Sequence, residues 1–265
     1  MFDNTCKFLA ENFSEDFATW LIGEPITLTK LNPSELSNEP IRADALILRQ
    51  SEELILHIEF QTNPDAKIPF RMTDYRLRGY RLFPEKEMLQ YVIYLKKTDS
   101  KIVSINTFNI GDLQHRFNVI RLWEQPIETF KRAPGLLPFA ILSNTKDPSA
   151  TLVEVANIID KIEDRQTKTN ITASTAILAG LVLDKDLIKT VLRGDIMQES
   201  VIYQEIKQEG ITQGITQGIT QGMEEATRLI AVNFLRDGIS PEQVAKCTGL
   251  SIEQVQQLQE EISNL

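Results

Sequence analysis

The chain has 265 residues, 42% of them hydrophobic and 25% charged, a balance in the globular range that excludes a disordered or collagen-like chain. With about 150 residues per domain as a prior, this length suits one large domain or one domain with an appendage. The formal net charge is −9, yet residues 195–265 hold four Lys and Arg against eleven Asp and Glu, so the acidity is concentrated in the tail.

No uninterrupted apolar run is long enough for a membrane span, and Met1–Glu15 lacks the pattern of a signal peptide. A cytoplasmic protein without a membrane partner is expected. Cys6 and Cys247 lie at opposite ends, and His57 and His115 are far apart, which argues against structural zinc or a disulfide framework.

In chain order, Phe2, Cys6, Leu9, Phe13, Phe17 and Trp20 recur near helical spacing and predict one amphipathic helix, ended by Gly23 and Pro25. Ile41–Leu48 and Leu54–Gln61 read as strands joined by a polar turn. Lys67–Phe83 reads as a helix stopped by Pro84. Leu89–Leu95, Ile102–Phe108 and Phe117–Trp123 are predicted strands, with Gly111-Asp112 as a turn. Beyond Pro126 the pattern becomes helical, at Leu152–Ile162, Thr172–Leu183 and Leu187–Leu192.

Glu209–Gly222 is a tetrapeptide repeat with glycine at every fourth position. It suits either a flexible linker or a marginal helix ordered by self-association, because each helical glycine costs about 1 kcal/mol. Ser240-Pro241-Glu242-Gln243 and Ser251-Ile252-Glu253-Gln254 both match a capping box around Thr248-Gly249-Leu250, predicting a helical hairpin that resembles a helix-turn-helix. Its second helix has Glu253, Glu260 and Glu261 and no Lys or Arg, so packing on itself or on another subunit is favoured over reading DNA. A homodimer through this C-terminal region is expected.

With the hairpin turn centred between Ser51 and Glu52, Asp44 falls opposite Glu59. Two like charges there are destabilising unless a positive charge lies between them. A divalent cation held by Asp44 and Glu59, with Gln61 beside them, would supply it. The alternative is a solvated sheet face on which Arg42, Arg49 or His57 pairs with the acids. The helix that follows carries Lys67, Arg71, Arg76, Arg78 and Arg81 against Asp74 alone. Arg71, Tyr75 and Arg78 share one face by i, i+4, i+7 spacing and could present two guanidiniums and a hydroxyl to a polyanion.

These residues carry a resemblance. Asp44, Glu59-Phe60-Gln61 within Leu-His-Ile-Glu-Phe-Gln-Thr, and Pro69-Phe70-Arg71-Met72-Thr73-Asp74-Tyr75 are similar to the recombination-promoting nuclease and transposase family. That family belongs to the PD-(D/E)XK nuclease superfamily, and the chain looks closest to its cyanobacterial branch. The likeness continues through Ile120-Arg121-Leu122-Trp123-Glu124, Pro134-Gly135-Leu136-Leu137-Pro138, the Gln-Gly repeats and the C-terminal hairpin.

It implies an α/β restriction-endonuclease-like core of helix, mixed central sheet, helix and strand, followed by an all-helical C-terminal region. The corresponding segments are a nuclease-like core at 1–125, a helical extension at 126–208, the repeat at 209–223 and the hairpin at 224–265. The activity implied is that of a DNA endonuclease dependent on Mg²⁺ or Mn²⁺, associated with recombination or mobile elements. Its catalytic residues would be Asp44, Glu59 and Gln61, its metal ligands Asp44 and Glu59, and its phosphate-binding residues Arg71, Tyr75 and Arg78. Glu11 or Glu15 could complete the metal shell. Gln61 stands where the superfamily most often has lysine, and a catalytically inactive DNA- or protein-binding module is the alternative.

Overall fold

The computed structural model describes residues 2–30, 46–192 and 200–263. It divides into two units, residues 1–205 and 206–265. The first is a mixed α/β structure around a five-stranded sheet, and the second is helical.

The N-terminal segment forms two helices, α1 (Phe2–Asn12) and α2 (Ser14–Ile22), where a single one is predicted. The interruption falls at Phe13, whose φ of −122° and ψ of 43° leave the helical region. Gly23 then closes α2 in the left-handed conformation, φ 94°, with its N–H on the Thr19 carbonyl, a geometry that disfavours any residue with a Cβ.

Among the described residues, five strands build the sheet in the order β1 (Thr29–Lys30), β2 (Leu46–Gln50), β3 (Leu54–Gln61), β4 (Glu87–Tyr94) and the strand at Asn118–Arg121. The first three are antiparallel neighbours, and the last two add in parallel. Parallel addition requires a crossover, supplied between β3 and β4 by α3 (Ile68–Leu82). The predicted strand at Ile102–Phe108 is instead a 3₁₀ turn at Lys101–Ser104, followed by β5 (Thr107–Ile110). β5 pairs with β6 (Leu113–Arg116) in a separate two-stranded ribbon, and the Asn118–Arg121 strand is β7. Ser100 caps the 3₁₀ turn by accepting from the Ile102 N–H, so local side-chain bonding overrides the β-branched run.

The β2–β3 turn is centred one position later than predicted. Ser51 N–H donates to the Leu54 carbonyl, and Leu54 N–H donates to Ser51 Oγ, which leaves Glu52-Glu53 as the turn. Leu46 therefore lies opposite Glu59, and Leu48 opposite His57. Asp44, expected opposite Glu59, is outside the described residues, as is most of Ile41–Leu48.

Period-two alternation decides which layer each β3 side chain meets. Leu54, Leu56, Ile58 and Phe60 enter the large core with α1, α2 and the Pro134–Leu142 segment, buried from Gly135 onward. In that core Phe139 stacks on Phe60 at 5.8 Å and meets Phe17 edge-on. Gly135 belongs to the same packing, since a Cβ there would clash with that of Phe13. The Gly135-Leu136-Leu137-Pro138 part of that segment is thus interior packing, with Pro134 exposed. Helices α4 (Ile127–Phe130), α5 (Pro148–Ile159), α6 (Arg165–Ala179) and α7 (Lys185–Val191) follow, with core contributions from Phe130, Val155 and Ile171. The other sheet face is covered by α3, whose Ile68 and Met72 pack with Val92, Tyr94, Val103 and Phe117.

Helix α8 (Val201–Arg236) runs through the Gln-Gly repeat, so of the two readings of that segment the helical one holds. Within residues 206–265, α9 (Pro241–Thr248) and α10 (Ile252–Ser263) form the predicted hairpin. Val244, Val255 and Leu258 make its small core with Ala231. The capping box is made at Ser251, with Gln254 N–H on Ser251 Oγ and Ser251 N–H on Gln254 Oε1. Ser240 makes no side-chain cap bond. No helix among the described residues is long and apolar enough to cross a membrane.

Candidate functional site

The second face of β3 carries Ile55, His57, Glu59 and Gln61. The parallel register sets Gln90 beside His57, Val92 beside Glu59 and Tyr94 beside Gln61. Helix α3 lies over this row. His57 and Glu59 are 0% and 1% exposed, deep enough that a bare carboxylate would cost several kcal/mol, on the order of a domain's whole stability margin.

The countercharge to Glu59 comes from α3. The Arg71 guanidinium forms an ion pair with Glu59 Oε1, and Gln61 Nε2 donates to the same oxygen at 3.1 Å. Arg71 also reaches Asp65 Oδ2 at 3.2 Å, on the loop before α3. It therefore bridges the buried acid and a half-exposed one. Partial burial moves the guanidinium below its ordinary pKa. Two opposed acids would need a cation between them; in the described residues Arg71 neutralises Glu59, and a leucine stands across from it.

The remaining atoms form a directed chain. Gln90 Nε2 donates to the Met72 carbonyl at 2.8 Å, and a carbonyl can only accept. This fixes the amide orientation, so the same Nε2 is also the donor to His57 Nδ1, at 2.9 Å. A neutral imidazole that accepts at Nδ1 carries its hydrogen on Nε2. On the other side Gln90 Oε1 accepts from His115 Nε2 at 2.8 Å. Donation thus runs from His115 through Gln90 to His57, and His57 Nε2 faces Glu59 Oε2 at 3.9 Å. Neither of those two atoms has a hydrogen-bond partner among the described residues.

Burial, reinforced by the positive Arg71 and by His115, pushes the His57 pKa down to about 3. The Gln90 contact acts in the same direction, because an imidazolium has no acceptor at Nδ1. His115 is also lowered, by burial and then by Arg76.

Of the predicted phosphate-binding residues, Arg71 joins Glu59. Tyr75 is 7% exposed and meets the His57 ring edge-on at 5.2 Å, and burial raises its pKa. Arg78 pairs with Asp74 at 2.9 Å, one turn away. Tyr75 thus faces inward, and the three do not present one common polar face.

The described residues contain no group of three or more His, Cys, Asp or Glu able to hold a metal. What they offer a hard cation is Glu59 Oε2, an oxygen with no hydrogen bond. His57 Nε2 is not a second ligand, since it carries the hydrogen. The acid expected to complete the pair, Asp44, lies outside the described residues. Glu15 accepts from Thr27 at 3.1 Å; it and Glu11 belong to helices that pack on the opposite face of the sheet from Glu59. The donor chemistry therefore fits one oxygen ligand of a divalent cation, with Asp44 the candidate for another.

Set against models of known protein families, curated proteins and solved structures, the chain matches none. Gln90, His115 and Asp65 are site residues that the sequence reading did not single out. Alternation in Leu89–Leu95 does put Gln90 on the face of Val92 and Tyr94. Its partnership with His57 needs the parallel register as well, which no local pattern encodes.

Proposed function

We propose that the chain is a Mg²⁺- or Mn²⁺-dependent DNA endonuclease of the PD-(D/E)XK type, tied to recombination or mobile elements as its resemblance implies. The observation that carries this reading is a fully buried carboxylate, Glu59, with one oxygen free of hydrogen bonds, lying under the most basic helix of an acidic chain. The element order of helices, antiparallel β1–β2–β3, helix α3 and parallel β4 agrees with the order expected of that superfamily and supports it.

Asp44 and Glu59 would hold the cation, which when bound supplies an activated water and charge stabilisation at a phosphoryl oxygen. Gln61 and Arg71 fix the Glu59 carboxylate. Arg71, one-third exposed and already reaching out to Asp65, would meet a phosphate in exchange for that acid. Arg78, two turns along the helix from Arg71 and paired with Asp74, adds positive charge along the approach. Tyr75 acts from beneath, as a wedge against His57.

The test is plasmid cleavage by the full chain with Mg²⁺ or Mn²⁺, alongside Asp44→Ala and Glu59→Ala. Loss of cleavage in both variants is expected, and cleavage that survives them overturns the assignment.

A second reading is a nuclease-like module that binds DNA or a protein without cutting. It is favoured by Arg71, which already neutralises Glu59, and by Gln61 in place of lysine. It predicts metal-independent, salt-sensitive binding and no nicking under either metal. For the C-terminal unit we propose a homodimer: Ile211, Ile215, Ile219 and Met223 form an exposed ridge on α8 beside a row of glycines around which a Cβ would meet nothing.

A further inference from the structure

Helix α3 has an outer side that the buried site does not use. Phe70, Leu77 and Tyr80 are 59%, 53% and 61% exposed, although large apolar side chains usually go inside. Leu77 lies two turns from Phe70 on the same side, and Tyr80 is one turn further. From Phe70 to Tyr80 the helix rises about 15 Å.

The surface continues onto the β5–β6 ribbon. Phe108 meets Phe70 edge-on at 5.8 Å, and Ile110 and Leu113 beyond it are exposed. Contiguous exposed apolar surface of this kind marks a binding face.

The flank of this strip is basic. Lys67 and Arg81 are exposed at the two ends of α3, and neither side chain forms an ion pair among the described residues. Arg71 and Arg78 lie between them, the first paired with Glu59 and Asp65 and the second with Asp74. Lys96 and Lys97, also exposed, follow β4 at the end of the strands where Gln61 closes β3. A partner for this face needs flat apolar groups along one side and negative charge along the other. Duplex DNA offers the charge but keeps its base faces stacked inside. A single strand exposes both, and aromatic side chains beside a basic track are how such strands are held.

We propose that the outer face of α3, with Phe70, Leu77, Tyr80 and Phe108, docks unpaired nucleotides by stacking, while Lys67, Arg78 and Arg81 follow the phosphates. The inference takes its nucleic-acid partner from the function proposed above and specifies the substrate as single-stranded or locally unpaired DNA. The adjacency of Phe70 to Arg71 puts a base on this face one residue from the guanidinium that holds Glu59.

Fluorescence anisotropy tests this with the full chain, a labelled single-stranded oligonucleotide and a blunt duplex of the same sequence, at fixed salt. A chelator in both titrations makes the measurement independent of metal-dependent cleavage. A protein that never cuts can therefore still support this inference, and one that cuts can still refute it. The single strand should bind more tightly than the duplex. Phe70→Ala and Tyr80→Ala should each weaken single-strand binding about fivefold or more while duplex binding stays unchanged. Tyr80→Trp should retain it, which separates stacking from loss of fold. Equal affinity for both probes, or indifference to Phe70→Ala and Tyr80→Ala, overturns the proposal. So does a sedimentation result in which those variants convert a dimer to a monomer, since the face would then belong to a second copy of the chain.

Discussion

His57 Nε2 and Glu59 Oε2 stand 3.9 Å apart, both buried and both without a hydrogen-bond partner among the described residues. The separation is too long for a hydrogen bond. Yet the imidazole hydrogen points into it, because Gln90 occupies Nδ1. The pair is neutral histidine beside an arginine-paired carboxylate, and its electrostatics are testable.

His57 titrates near 6.5 in the unfolded chain and near 3 when folded. A depressed folded value means that the unfolded state takes up the proton first as pH falls. Stability from this residue is complete above pH 6.5 and is lost progressively down to about pH 3. By pH 5 the loss attributable to His57 reaches about 2 kcal/mol. Urea unfolding of the native chain and of His57→Gln at pH 7 and pH 5 checks it. The difference in stability between the two proteins should shrink by that amount at the lower pH. A difference that stays constant would show that His57 titrates normally.

Arg71 and Glu59 should behave as a coupled unit. Arg71→Ala leaves a buried carboxylate with only Gln61 to solvate it. Because the arginine is one-third exposed, the cost is set below that of a fully buried pair, at about 2–3 kcal/mol. Adding Glu59→Gln removes the stranded charge and should recover at least half of that loss. A double-mutant cycle on chemical denaturation gives the coupling directly. Strictly additive effects would mean that the ion pair does not stabilise the fold.

The repeat offers a test of a different kind. Gly214 and Gly218 lie within α8, and a Cβ at either would meet nothing within 4 Å. Replacing both by alanine should stabilise an unpartnered helix by about 1 kcal/mol each and raise helicity in circular dichroism. If the glycine row seats a second copy, the same change should weaken dimerisation in sedimentation. Increased helicity with unchanged mass would assign the exposed ridge no partner at this position.

Much of the architecture is legible in local pattern. Leu54–Gln61 has the predicted bounds, and α3 departs from them by one residue at each end. Alternation and helical periodicity encode such elements directly. The hairpin register was less accessible, because two serine hydrogen bonds at Ser51 move the turn by one position. A shift of one in the turn centre moves each partner by two, which preserves the face of every β3 side chain while replacing the residue opposite Glu59. Strand alternation singles out Glu59 and Gln61, and helical spacing singles out Arg71, there as a phosphate ligand and not as the partner of Glu59; Gln90 and His115 come from strands that meet only through parallel pairing and a distant ribbon.

The stacking of Phe139 on Phe60 has a practical corollary for anyone trimming the chain. An expression fragment stopping near Trp123 would retain the five strands but strip part of the cover from one side of the sheet, leaving Phe17 and Phe60 without the Phe139 ring that packs on both. Such a piece should precipitate or bind hydrophobic dyes, whereas one ending near residue 205 keeps its aromatic lining dry.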